Sequence, residues 1–156
     1  MTYVFDTSSL RVLRNFYPQR FPSFWELFEA QVVSGEVISV REVRRELDIQ
    51  LEQCHLREWV EGHPELFPQP NADEMRFAAE ILAIPRFRAL VGRKAVLMGT
   101  PVADPFVVAG ARRRSGSVVT EESRRDNAVK IPNICDHFNV DCINLEAFLQ
   151  QHGWRF

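Results

Sequence analysis

The step from Tyr3-Val4-Phe5 into Asp6-Thr7-Ser8 constrains this chain more than any other stretch. A short apolar run of this kind reads as a buried strand, and it ends on a carboxylate followed at once by helix-starting residues. Leu10, Val12, Leu13 and Phe16 then carry the apolar spacing of a helix, with Asp6, Thr7 and Ser8 as candidate caps. The passage recurs. Glu36 to Val40 reads as a second strand, running into a helix striped by Val43, Leu47 and Leu51. Ser117 to Thr120 reads as a third strand and Cys142 to Asn144 as a fourth, before a terminal helix from Leu145 to Gln151. Strands separated by helices predict an α/β fold with a mostly parallel sheet of four to five strands. Such sheets bind ligands at the carboxyl ends of their strands, and Asp6 stands at one of them.

Between these passages the helix signals are dense. Ser23 with Glu26, Ser39 with Glu42, and Asn71 with Glu74 each have the spacing of a capping box. Pro18 and Pro22 break the first helix from the second, and Gly35 ends the second. Gly62, Pro64, Pro68 and Pro70 delimit a loop-like section, after which Phe77, Ile81 and Leu82 mark a helix that Pro85 stops. Arg86 to Gly99 is basic and apolar without clean periodicity. Thr100 to Arg114 reads as a helix with Pro101 or Pro105 near its start. Its middle, Phe106 to Ala111, is apolar nearly all round, which predicts packing against the sheet and a further element. Ile131 to Phe138 reads as a short helix or turn.

With 156 residues the chain reads as one domain, 1–156. No window reaches the roughly 18 apolar residues of a membrane span, and no secretory signal is visible, so a cytoplasmic location without membrane association is expected. Cys54, Cys135 and Cys142 fit reduced thiols, because their number is odd and no C-x-x-C occurs. Their spacing with His55 and His137 matches no zinc pattern. The formal charge of −2 does not demand a nucleic-acid partner, although a local basic patch suffices for one.

Four acids occupy similar places. Asp6 ends the first strand, Glu46 lies one turn into the helix after the second, Asp104 opens the apolar helix, and Glu121 and Glu122 together follow the third strand. Converged carboxylates repel one another, and a hard, oxygen-preferring cation such as Mg²⁺ or Mn²⁺ resolves the conflict. Two such ions support phosphodiester hydrolysis without a nucleophilic Ser or Cys. The chain has no G-x-S-x-G elbow, phosphate-binding G-x-x-x-x-G-K-[ST] loop or G-x-G-x-x-G turn.

The order D-T-S-S-L from Asp6, V-x-x-E-L from Val43, A-D-P-F-V-V-A-x-A from Ala103 and V-V-T-E-E from Val118 resembles the PIN-domain superfamily, and within it the small bacterial toxin-type group. The resemblance runs from Tyr3 to Leu149. It implies a three-layer α/β/α fold and a Mg²⁺- or Mn²⁺-dependent ribonuclease acting on single-stranded RNA. It also implies a toxin neutralised by a partner antitoxin. Carried over by position, Asp6, Glu46, Asp104 and Glu122 are the catalytic and metal-holding acids, with Ser8 and Thr120 supporting them. The family's last acid is usually Asp in T-x-D, whereas this chain has Thr120-Glu121-Glu122, and Glu121, Asp126 or Asp141 are substitutes for Glu122.

Simpler readings stand beside these. Asp6 and Asp104 are also good helix caps, and Glu46 is equally placed to pair with Arg45 or Arg41 on a solvated face. The runs Arg112-Arg113-Arg114 and Arg124-Arg125 flank the third strand as candidate RNA contacts, Arg112, Arg113 and Arg124 foremost, although basic residues also suit a helix C-terminus. Phe16, Tyr17, Phe21, Phe24, Trp25 and Phe28 are either core or an exposed ridge for an antitoxin or a homodimer partner. The departure at Glu122 leaves a catalytically inactive PIN-like module, binding RNA or protein, as the alternative function.

Overall fold

The structure, a computed structural model, describes residues 1–91 and 102–156. Its strands are β1 (Tyr3–Phe5), β2 (Val37–Ile38), β3 (Ser117–Val119) and β4 (Asp141–Ile143). They form one sheet in the order β2-β1-β3-β4, and every pairing is parallel. The helices are α1 (Thr7–Arg11), α2 (Pro22–Ser34), α3 (Arg41–Gln50), α4 (His55–Glu61), α5 (Ala72–Ala83), α6 (Asp104–Arg113), α7 (Ile131–Phe138) and α8 (Leu145–Gln151). The expected α/β fold with a parallel sheet flanked by helices is what forms.

Alternation along β1 decides what lies on each face. Tyr3 and Phe5 point to one side. Phe148 of α8 meets both edge-on, at 5.0 and 5.1 Å, and Phe28 of α2 meets Phe5 at 5.4 Å. Val4 faces the other side, where α6 crosses at Gly110 with room for no more than a methyl group. A Cβ there would stand 3.8 Å from Val4 Cγ1 and 3.5 Å from Val40 Cγ1. Helix α6 is buried from Val107 to Ala111 between the sheet and α5 with α7, as its all-round apolarity required. Gly116 is needed for a different approach, since a Cβ would fall 2.2 Å from the Thr2 carbonyl oxygen as the chain turns into β3.

Two expected caps do not form. Pro22 occupies the first turn of α2 with Phe21 as a cap that makes no side-chain bond, so Ser23 and Glu26 close no box. Pro22 fixes φ and has no N–H to satisfy, which does the same work. Ser39 donates instead to the Phe5 carbonyl at 2.7 Å, stitching β2 to β1, while Glu42 turns inward to Arg41 at 2.8 Å. Asn71 does cap α5, accepting from the Glu74 N–H at 2.8 Å. Helix α4 lies between the stripe that ends at Leu51 and the loop-like section from Gly62, where no element was expected, and Leu56 and Val60 are its buried residues. The apolar helix begins at Asp104. The expected start at Thr100 and Pro101, and most of the stretch from Arg86 to Gly99, lie outside the described residues.

Of the aromatic set, Phe24, Trp25 and Phe28 are core, Phe16 and Phe21 are half-buried against it, and Tyr17 is 57% exposed. Cys54, Cys135 and Cys142 are free thiols.

Candidate active site

The parallel register sets Phe5 opposite Val119, and Val119 opposite Ile143, so Asp6, Thr120 and Asn144 leave the sheet along one edge. Asp6 keeps the ladder going for one more bond, from its N–H to the Val119 carbonyl at 3.1 Å. Its side chain is both a cap and a buried carboxylate. One oxygen accepts from the Ser9 N–H at 2.8 Å, the Ser8 hydroxyl lies 2.9 Å from both oxygens, and the Thr120 hydroxyl donates to the other. Burial raises the Asp6 pKa above the ordinary carboxylate value, against the pull of the Thr120, Ser9 and Ser8 hydrogen bonds. Ser8 and Thr120 therefore hold the Asp6 carboxylate.

Helix α3 turns Glu46 toward the same edge. Thr7 donates its hydroxyl to Glu46 Oε1 at 2.8 Å. Pairing with Arg41 does not occur, since Arg41 is engaged by Glu42, and among the described residues no ion pair joins Glu46 to Arg45. Burial raises the Glu46 pKa most, the Thr7 bond opposes it, and repulsion from Asp6 and Glu122 adds to it. Asp104 is not a cap. Ala103 holds that position without a side-chain bond, and Asp104 is the first residue of α6. Its pKa is raised well above the ordinary value, first by burial and then by Glu122, Glu46 and Asp6, with Lys130 opposing.

These acids share one cavity of 280 Å³, lined by Asp6, Glu46, Asp104 and Glu122 together with Thr7, Ser8 and Arg11. The substitutes for the last acid stand elsewhere. Glu121 accepts from the Leu145 N–H at 2.7 Å and caps α8. Asp141 lies at the opposite edge of the sheet, bonded to Ser117. Asp126 is exposed and does not line the cavity. Glu122 itself caps α7, accepting from the Ile131 N–H at 2.9 Å through Oε2. Its other oxygen makes no hydrogen bond to the described residues.

Donor chemistry fits a hard divalent cation, because the lining acids supply only oxygen and each of three is pushed toward its protonated form. Among the described residues, no three His, Cys, Asp or Glu side chains are drawn together closely enough to hold an ion. Mutual repulsion and the bonds to Thr7, Thr120 and Ile131 account for that spacing. The fit is one of donor type, not of preformed ligation.

Arg125 apart, the basic residues beside the cavity are not the expected ones. Arg112 stacks on Phe77 at 4.3 Å, and Arg113 reaches the buried Glu74 at 3.4 Å, both at the C-terminal end of α6 and so away from Asp104. Arg124 is forked onto Asp136 at 2.7 and 2.8 Å. A larger cavity of 460 Å³ adjoins the acids, sharing Ser8, Arg11 and Glu122 with theirs. Arg11, Arg14, Arg125 and Lys130 line it, and none has an ion pair among the described residues. Sequence reasoning raised only Arg125 of this group and missed Arg11, Arg14 and Lys130, because the members come from α1, the turn after it, and the loop before α7. It also took Thr7 only as a cap, although Thr7 directly follows Asp6 in the motif.

Compared with protein families, the chain matches the model described as "Domain of unknown function (DUF4411)" over residues 3–156. No curated protein matches it.

Proposed function

The chain belongs to the DUF4411 family, and from its acid-lined cavity we propose that it is a Mg²⁺- or Mn²⁺-dependent endoribonuclease acting on single-stranded RNA. The observation that carries this reading is the meeting of Asp6, Glu46, Asp104 and Glu122 in one cavity, although they come from separate segments of the chain. Asp6, Asp104, Glu46 and Glu122 would hold the metal. When bound, such a cation lowers the pKa of an attacking water and steadies the leaving oxygen of a phosphodiester. Ser8, Ser9 and Thr120 fix the Asp6 carboxylate, and Thr7 fixes that of Glu46. Arg11, Arg14, Arg125 and Lys130 offer positive charge to phosphates that the acids would repel. The resemblance to toxin-type PIN proteins extends the proposal to a cytoplasmic toxin restrained by an antitoxin protein.

The second reading, an inactive module of the same fold that binds RNA or protein, is favoured by the spacing of the acids and by the use of Glu122 as a cap. Cleavage of a labelled single-stranded RNA pool separates the two. Products that require Mn²⁺, vanish with EDTA and vanish in Asp104→Asn support the nuclease. Folded protein that binds RNA equally with and without EDTA, and cuts none, supports the module.

A further inference from the structure

A third cavity, of 450 Å³, shares no lining residue with the other two and plays no part in the chemistry above. Tyr17, Pro18, Gln19, Arg20 and His55 line it. Tyr17 is held out on a turn that is fixed at every corner. The Arg20 and Phe21 N–H groups both bond the Tyr17 carbonyl at 2.9 Å. On either side, Phe16 and Phe21 pack together at 5.4 Å, and Phe16 packs on the buried Phe24 at 4.8 Å. The His55 ring lies 5.8 Å from that of Tyr17. Its Nε2 is 2.8 Å from the Arg14 carbonyl, which can only accept, so Nε2 carries the proton and the ring is tied to the basic turn. The Tyr17 ring is 57% exposed, while the neighbouring Phe16 and Phe21 pack against the core.

We infer that the Tyr17–His55 cavity is a nucleobase-stacking subsite for the single strand whose phosphates lie against Arg14. Three features select a nucleic acid over a protein surface. The walls are an aromatic face and an imidazole, which suit a flat ring of any base. Arg20 in the wall and Arg14, in the short helical turn just before Tyr17, have no ion pair among the described residues and so offer positive charge to an anionic occupant. Three residues of chain span at most about 11 Å, so Tyr17 stays within reach of a nucleotide whose phosphate meets Arg14. Stacking at this distance from the acids would set which bond of the strand enters their cavity. The inference rests on the RNA reading above.

The test is fluorescence anisotropy with the full chain in EDTA, so that no strand is cut. The probes are a short single-stranded RNA and an abasic strand of the same length. The wild-type protein should prefer the strand that has bases, Tyr17→Ala should weaken its binding about tenfold, and Tyr17→Phe should keep it. Binding of the abasic strand should be unchanged in Tyr17→Ala. Equal binding of both strands, unaltered by Tyr17→Ala, would overturn the subsite and leave the RNA reading standing. No binding of either strand would overturn both. If Tyr17→Leu binds the RNA as well as Tyr17→Phe, no aromatic face is needed there, and the stacking subsite is overturned.

Discussion

Asp6 shows how one residue serves fold and site together. It caps α1 and closes the ladder to β3, yet it remains a buried carboxylate whose charge is sustained only by neighbouring donors. Replacing Thr120 by Val removes one of those donors while keeping the shape. The cost is expected to be about 1–3 kcal/mol, read as a lowered urea midpoint with an unchanged slope. The raised pKa values of Asp6, Glu46 and Asp104 have a sign that can be checked. As pH rises from about 4, the unfolded chain loses these protons before the folded one does, so stability falls. The melting temperature of the EDTA-treated protein should therefore decline from mildly acidic pH toward neutrality. Asp104→Asn should flatten that decline, and Mn²⁺ should oppose it. A wild-type profile no steeper than that of Asp104→Asn would show that Asp104 is not strained.

Helices here start in two different ways, and the two are separable by mutation. Asn71 accepts a bond from the Glu74 N–H, so Asn71→Ala should cost about 1 kcal/mol in thermal or chemical unfolding. Ser23 has the same spacing to Glu26 but makes no cap bond, because Pro22 starts α2 by its fixed φ. Ser23→Ala should leave stability unchanged within about 0.5 kcal/mol, as for an ordinary surface site. Equal losses at the two positions would contradict this account of how α2 begins.

Across the whole molecule, the two edges of the sheet are electrostatically different. The carboxyl edge holds the four acids, with Arg14, Arg125 and Lys130 beside them and without ion pairs among the described residues. At the far end of α6, by contrast, Arg113 and Arg114 are spent on the buried Glu74. Charge reversal at Arg14 or Arg125 should weaken RNA binding for every sequence. It should also lower the salt dependence by about 1 in slope for each phosphate that is no longer neutralised. Arg113→Ala should change stability, not RNA binding. Binding measured against salt concentration distinguishes the two, and reduced affinity in Arg113→Ala alone would place the RNA path at the other edge.

Periodicity along the chain was enough to fix the α/β class, because apolar runs of strand length alternate with helix-length stripes, and burial follows that alternation whatever the details. The order of these elements also marked Asp6, Glu46, Asp104 and the neighbours Glu121 and Glu122 as acids that a parallel sheet would gather at one edge, since parallel strands share their carboxyl ends. Packing in three dimensions settled what remained. It gave Glu121 to the cap of α8 and left Glu122 at the cavity, a choice between neighbours that no spacing encodes. It turned Ser39 from a cap into a cross-strand bond, because β2 ends beside the Phe5 carbonyl. The basic cavity, likewise, is built from Arg11, Arg14, Arg125 and Lys130, residues more than a hundred positions apart that only the pairing of β1 with β3 brings together.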